Sequence, residues 1–405
     1  MGQVSNAELV EKALIDSSAV TTDGKMAPEQ ADKFIDYVFD VTVMKGHART
    51  IKFKPEQLYI DKIGVGARVA IAATEAADPG LRRGVTTSKV TLQPAEIIVP
   101  VEISDTFSEI NLEGEDAKEK IVKMMATQFG NDLEDVYING NQLGIAILES
   151  VYKGGSATQH VKDAYMGLMN GWLNLAESGN RVDFSNENIN SSIFSRMLNA
   201  MPSKFKRNRS RLRFFCAPEL EQNYRERVAS RATAKGDAAI SSSAPLTPFG
   251  VPLIPVPLLA LAPPIVEHVT VNTDGSTATA LKYKNVTSVV VHLATLDKTP
   301  TTPYTVGASG DYTLDAANGT ITRITTGTNL IGSGASVKVS YNSKARLILT
   351  HESNYVVGIG RDVRIERDRD IFKRVDQFVI TAKAAVALEE STALVDGYNV
   401  GVSLT

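Results

Sequence analysis

Ile63-Gly64-Val65-Gly66-Ala67-Arg68-Val69-Ala70-Ile71 and, further along, Ile97-Ile98-Val99-Pro100-Val101-Glu102-Ile103 are the stretches on which the fold turns. In each, apolar residues occupy every second position, the period of a β-strand whose side chains alternate between two faces. Together they predict two antiparallel strands of one extended hairpin running from Leu58 to Ile103. Between them, Ala72 to Lys89 contains Pro79, Gly80, Arg82, Arg83 and Gly84 and little that could build a core. A two-stranded ribbon alone is marginal in water. This one therefore needs cover from another surface, and Arg82, Arg83 and Lys89 at its polar tip are the residues predicted to meet it.

Upstream, the chain reads as two short amphipathic helices. One lies near Asn6 to Ile15; the other is opened by Pro28 and places Phe34, Ile35, Val38, Phe39 and Val43 on one face. They suit either an arm laid on a neighbouring surface or a cap on the chain's own core. Downstream, Ser104 or Asp105 can cap a short helix, and a long helix follows from about Glu115 to Tyr137. There Ile121, Met125, Phe129, Leu133 and Tyr137 recur every four residues, with Glu113, Glu115 and Asp116 complementing the helix dipole at its start. At the α-helical rise this rod is roughly 30 to 35 Å long. Asn139-Gly140-Asn141 predicts a left-handed terminus.

From Val161 to Ala262 helices over Asp163 to Ala176, Ile193 to Ala200 and Pro218 to Ala229 mix with a strand at Leu212 to Phe215, an α+β unit. Polar residues fill Arg231 to Pro248, and Phe249-Gly250-Val251-Pro252 opens a proline-rich extended stretch. Between Val269 and Ser343 charges thin out and Thr, Ser, Gly and Val dominate. Short alternating runs recur there: Val289/Val291/Leu293, Tyr312/Leu314 and Val337/Val339/Tyr341. This predicts an independent all-β sandwich inserted into a loop of the host unit. The host pattern resumes at Leu347 to Thr350, followed by strands within Arg361 to Asp370 and Phe378 to Leu388.

The 405 residues, 43% hydrophobic and 22% charged, suffice for two or three cores. A net charge of -3 provides no global attraction to nucleic acid or membrane, so any charge-based contact must be local. The single cysteine, Cys216, excludes an internal disulfide framework and fits a reducing compartment. No basic leader with an apolar run follows Met1, and Asn6 stands where a myristoylation signal has Ser or Thr. The apolar stretch Val251 to Val266 is broken by Pro252, Pro255, Pro257, Pro263 and Pro264, which rules out a membrane-spanning helix.

No catalytic, metal or cofactor constellation is found. His47, His160, His268, His292 and His351 are scattered, and His351-Glu352 lacks a second His four positions on. Neither Gly64-Val65-Gly66 nor Gly358-Ile359-Gly360 completes a dinucleotide fingerprint, because Val69 and Val363 stand at the third glycine position. Cys216 ends an apolar strand and reads as a buried structural thiol. One patch is distinctive. Lys204, Lys206, Arg207, Arg209, Arg211 and Arg213 place six positive charges in ten residues with no acid among them. It is a candidate for sequence-independent contact with DNA phosphates, or for pairing with acids of an adjacent copy.

The order of parts resembles the major capsid proteins of tailed double-stranded DNA bacteriophages, whose fold also appears in herpesvirus shells and encapsulins. The resemblance is carried by Ile97 to Ile103 leading into the long helix, Asn139-Gly140, Thr247-Pro248-Phe249-Gly250-Val251-Pro252, and Asn354-Tyr355-Val356-Val357-Gly358-Ile359-Gly360-Arg361-Asp362. It implies an α+β subunit with an N-terminal arm (1–47), an extended hairpin loop (48–103), a peripheral domain with a spine helix (104–160), an axial domain (161–264), an inserted immunoglobulin-like domain (265–344) and return strands (345–405). It further implies a non-enzymatic shell protein without cofactors, assembled in the host cytoplasm. Such subunits form the hexamers and pentamers of an icosahedral virion capsid around double-stranded DNA, with scaffolding, portal and decoration proteins as partners. An encapsulin-type nanocompartment shares the fold, and an adhesive surface protein would share only the inserted module.

Overall fold

The computed structural model describes residues 14–15, 42–54, 57–64, 86–105, 115–150, 159–231, 245–296, 301–325 and 330–402. In chain order it begins with strand β1 (Leu14–Ile15), helix α1 (Met44–His47), β2 (Arg49–Lys52), the hairpin β3 (Leu58–Gly64) and β4 (Thr86–Leu92), β5 (Ala95–Ser104) and helix α2 (Glu115–Asn139). A short hairpin follows, β6 (Ala146–Leu148) and β7 (His160–Lys162), then α3 (Trp172–Ala176), β8 (Asn180–Asp183), α4 (Ser191–Ala200), α5 (Ser203–Lys206), β9 (Leu212–Cys216), α6 (Pro218–Ala229) and β10 (Leu253–Pro255). The all-β segment holds β11 (Pro264–Thr270), β12 (Thr279–Ala280), β13 (Thr287–Leu293), β14 (Tyr312–Asp315), β15 (Thr320–Arg323) and β16 (Ser336–Asn342). β17 (Ala345–His351), β18 (Tyr355–Asp370), β19 (Val375–Leu388) and β20 (Leu394–Val400) close the chain.

Two five-stranded sheets organise the host. The first has the order β1-β5-β19-β18-β2, the second β10-β9-β17-β20-β8. α2 turns Phe129, Leu133, Val136 and Tyr137 toward one cluster that contains Ile97, Val357, Ile380 and Ala382 of the first sheet. That spacing is the apolar stripe of an amphipathic helix. β9 and β17 are buried on both faces. Phe214 and Leu347 point into a cluster with α4 and α6, while Phe215 and Ile348 point into the α2 cluster. This two-sided burial explains the continuous apolar runs Phe214-Phe215-Cys216 and Leu347-Ile348-Leu349 within those strands. Asn190 caps α4, its side chain accepting from the Ser192 and Ile193 N–H groups at 2.7 and 3.1 Å. The fully buried Glu134 of α2 accepts from the Val43 and Met44 N–H groups at 2.8 and 2.6 Å, fastening the start of α1 to the long helix.

Several expectations are corrected. The return strand of the hairpin is Thr86–Leu92, paired with Leu58–Gly64, and not Ile97 to Ile103. Ile97, Val101 and Ile103 are buried in β5, which lies between β19 and β1 in the first sheet. The Thr-rich run Thr86-Thr87-Ser88-Lys89-Val90-Thr91 has the branched side chains of a strand, although Thr86 to Lys89 are polar enough to read as part of the loop from Ala72. Leu14 and Ile15, expected at a helix end, pair in parallel with Glu102 and Ile103. The open sheet edge outweighs a short helical pattern. Only Trp172–Ala176 of the predicted Asp163 to Ala176 helix is helical. Upstream, the Asp163 carboxylate accepts from the Tyr165 and Met166 N–H groups in a turn. Gly140 is not left-handed; it is needed because a Cβ there would lie 2.5 Å from the Val136 carbonyl oxygen and 2.7 Å from that of Met169. The second predicted helix, apart from Val43, lies outside the described residues.

The described residues between Pro264 and Asn342 are all-β. Their two three-stranded sheets, β11-β16-β13 and β12-β15-β14, share one core that includes Tyr283, Val291, Tyr312, Ile321 and Val339. A charge cluster fixes this segment to the host. Arg346 and Asp396 have side chains 0% exposed, and the guanidinium donates to the carboxylate through Nε at 3.0 Å and Nη2 at 2.8 Å. Nη2 also donates to the Leu173 carbonyl at 3.0 Å. Arg181 pairs with the same Asp396 at 3.3 Å and lies over the rings of Tyr398 and of Tyr283 from the all-β segment, 4.3 and 5.0 Å from their centroids. The Tyr283 hydroxyl donates to Glu177 at 2.7 Å, and Lys282 pairs with Glu177 as well.

Removing one partner of a buried ion pair strands the other without solvent. Asp396→Asn is therefore expected to lower unfolding free energy by about 3–5 kcal/mol in chemical denaturation, whereas the double replacement Arg346→Met with Asp396→Leu loses less.

Candidate interaction surfaces

The β18–β19 hairpin pairs continuously from Tyr355↔Leu388 to Asp370↔Val375, apart from bulges between Ile359 and Arg364. β2 covers the outer edge of β18 only from Val356 to Ile359. Beyond that point the edge has no strand partner among the described residues. It carries Arg361, Arg364, Glu366, Arg367, Asp368 and Arg369, and charge combined with a bulge is how soluble proteins protect an open edge. At the tip, the Asp370 carboxylate accepts from the Phe372 and Lys373 N–H groups at 3.0 and 3.1 Å, and Arg374 takes a positive φ. The turn holds Ile371 and Phe372 outward, 78% and 101% exposed. Ile98, on β5 of the same sheet, is 60% exposed.

Charges brace this distal region from behind. Lys118 of α2 pairs with Asp376 at 2.6 Å and lies 4.0 Å from Asp105; Arg367 reaches Asp376 at 3.3 Å and Arg369 reaches Asp105 at 2.7 Å. Burial acts against the Asp376 carboxylate, but hydrogen bonds from Lys118 and Arg367 hold its pKa below the usual value. Glu96 joins Arg361 and, at 3.5 Å, Lys383 across three strands.

The β3–β4 hairpin is rooted on the other half of the same sheet. Leu58, Ile60 and Val90 pack on a cluster of Phe53, Leu92, Val356, Ala385 and Ala387. Gly358 leaves room for Phe53, since a Cβ there would lie 2.7 Å from the ring. Tyr59, Thr87, Lys89 and Thr91 occupy the exposed face. Lys89 is thus not at the tip. It stands within β4, opposite Asp61 and 5.5 Å above the Tyr59 ring. Arg82 and Arg83 lie outside the described residues.

The basic patch is placed on α5, the turn after it and the start of β9, and it divides in two. Arg213 is engaged internally: it pairs with Glu352 at 2.9 Å and donates to the Ser210 and Leu212 carbonyls. Lys206 donates to the Asn199 carbonyl at 3.3 Å, and Lys204 lies 4.6 Å over the Phe205 ring. Arg207, Arg209 and Arg211 are exposed. Cys216 is fully buried, and burial pushes its thiol pKa far up, which makes it inert.

The Ile371-Phe372 tip escaped sequence reasoning. Its signal was an apolar pair interrupting the charged run from Arg361 to Arg374 between two alternating segments. Among the described residues, no group of three or more His, Cys, Asp or Glu is placed to hold a metal ion, and no helix is long and apolar enough to cross a membrane.

No family model matches the chain. Over 391 residues, 96% of this chain and 97% of the relative, it is 27% identical to "Putative prophage capsid protein YqbE" of Bacillus subtilis (strain 168). Among solved structures, the capsid of a native GTA particle superposes with a TM-score of 0.53 at 11% identity, covering 95% of this chain and 99% of that one. The chain shares the fold of that solved structure. The holo-SrpI encapsulin complex from Synechococcus elongatus PCC 7942 gives a TM-score of 0.49 at 10% identity over 96% and 97% of the two chains.

Proposed function

We propose that this chain is the structural shell subunit of a phage-type capsid, which assembles with copies of itself into hexamers and pentamers that close around double-stranded DNA. The observation that carries the proposal is end-to-end similarity: the likeness to a prophage capsid protein spans nearly the full length of both chains and coincides with a capsid-subunit fold. The surfaces support it. Both hairpins leave the first sheet with apolar or ribbon faces uncovered within the described chain, and exposed apolar patches ringed by charge mark protein contacts.

In this account the β3–β4 hairpin lies over an adjacent subunit and the β18–β19 tip touches a further copy. The unit around β9, β17 and β20 gathers at the axes of the capsomer. Many small, charge-mixed contacts allow one chain to serve two ring sizes. The two-sheet segment from 264 to 342 is read as an immunoglobulin-like module that braces or decorates the shell. Scaffolding, portal and decoration proteins are its further partners, and assembly takes place in the host cytoplasm. The exposed arginines of the basic patch face the packaged DNA, where phosphate neutralisation needs no base reading.

Deleting residues 73–85, which spares β4, is expected to leave a folded subunit with unchanged circular dichroism that assembles poorly in sedimentation, and Phe372→Asp to act likewise. Normal shells from both would contradict the assigned contacts. Shells carrying Arg207→Gln, Arg209→Gln and Arg211→Gln together are expected to bind DNA more weakly and with a shallower salt dependence, measured by titration at several salt concentrations. Unchanged, salt-insensitive affinity would remove the DNA-facing role.

A further inference from the structure

We propose that the packed imidazoles of His160 and His292, set beside the buried ammonium group of Lys338, form an acid-released latch that holds one margin of the all-β segment to the host. The seam lies within a single chain, so the proposal does not rest on the assembly account.

The latch is built from the β6–β7 hairpin on one side and β13 and β16 on the other. His160 N–H donates to the Thr301 carbonyl at 2.9 Å, and Thr301 N–H donates back to the His160 carbonyl at 3.0 Å. The Ala146 N–H donates to the Ser340 hydroxyl at 3.3 Å, and Lys338 Nζ donates to the Leu143 carbonyl at 2.6 Å. In the middle, the His160 and His292 rings meet edge to face with centroids 5.0 Å apart. Lys338, also buried, stands directly across from His292 on β16. Thr301 Oγ1 lies 3.5 Å from His292 Nδ1. Among the described residues, His160 Nδ1 and His292 Nε2 are both closed off from solvent and find no hydrogen-bond partner.

Three basic side chains thus meet at one spot, His292 and Lys338 buried and His160 half-buried. Among the described residues, the groups that face His292 are His160 from β7, Lys338 from β16 and the Thr301 hydroxyl, and the charges acting on it are those of His160 and Lys338, each of which opposes a proton there. Burial first, then His160 and Lys338, lowers the His292 pKa from 6.5 to about 4, and burial lowers that of His160. Once the seam opens, both rings regain water and their ordinary pKa. Because the closed-state values are depressed, the open form binds more protons. The latch is at full strength above about pH 6.5 and weakens as pH falls toward about 4. The opposite margin is held by Arg181, Tyr283 and Glu177, so acid frees one side of the segment and leaves the other attached.

Hydrogen exchange on the full chain, in one fixed assembly state and corrected for intrinsic rates, tests this at about pH 7.5 and about pH 5. Peptides reporting the Ala146, His160 and Thr301 amides, whose hydrogen bonds cross the seam, are expected to lose protection by about tenfold or more at the lower pH. Peptides covering 212–216 and 347–350 are expected to keep theirs. The double variant His160→Gln with His292→Gln should show no such pH dependence at the seam. Unchanged seam protection in the natural chain, equal loss in both sheets, or the same acid loss in the double variant would overturn the latch. The natural chain alone decides the matter if the double variant does not fold.

Discussion

The first sheet is longer than the described chain that covers it. α2 buries one face through Phe129, Leu133 and Val136, and the root of the β3–β4 hairpin buries part of the other through Phe53 and Leu92. β2 seals the outer edge of β18 for four residues, Val356 to Ile359, and then stops. Past that point the described chain offers an edge without a strand partner, an exposed Ile98 and a turn that presents Ile371 and Phe372 to water. A monomeric protein gains nothing by holding two large apolar residues outward on a hydrogen-bonded turn. The arrangement makes sense when the missing cover comes from another molecule. Charge along the β18 edge and the bulge near Arg361 keep that demand specific by discouraging indiscriminate strand pairing.

Inside the subunit, geometry is set by buried charge as well as by apolar packing. Asp396 accepts from Arg346 and Arg181, and through Arg181 the cluster reaches Tyr398 on β20 and Tyr283 on the all-β segment. An ion pair of this kind contributes little net stability over a well-packed apolar substitute, yet leaving one member alone is costly. Its effect here is to fix where the all-β segment sits on the second sheet. The far margin of that segment is held differently, by backbone pairing at His160 and Thr301 around a group of basic side chains. One margin is insensitive to histidine protonation and the other is exposed to it, which gives the segment a defined direction in which to loosen.

Much of this architecture was legible in the sequence. Ile121, Phe129 and Leu133 announced α2, Pro218 marked the first turn of α6, and the fall in charge after Val269 marked the all-β segment. What was not legible depends on distant partners. The run Ile97 to Ile103 alternates like a hairpin strand, but alternation does not say which strand lies alongside, and β19 is far away in sequence. Thr86 to Lys89, the first residues of β4, fall in the stretch Ala72 to Lys89 whose polarity reads as a loop. Gly140 looked like a left-handed cap, whereas the real requirement is the approach of the Met169 carbonyl. The basic patch looked uniform until Glu352 was found beside Arg213. Arg346 and Asp396 carry no local sign that they will be buried together. The Phe372 tip was visible as an apolar interruption in a charged run, but an exposed aromatic acquires meaning only once its turn is known to project.

The central claim, that this subunit's uncovered surfaces are completed by copies of itself, is tested most directly by electron microscopy of the purified full-length protein across a range of concentration and salt. The account predicts closed shells of uniform diameter built from rings of subunits, with both hairpins buried between neighbours. A protein that remains monomeric under all those conditions, with Phe372 and the β18 edge still open to solvent, would contradict it.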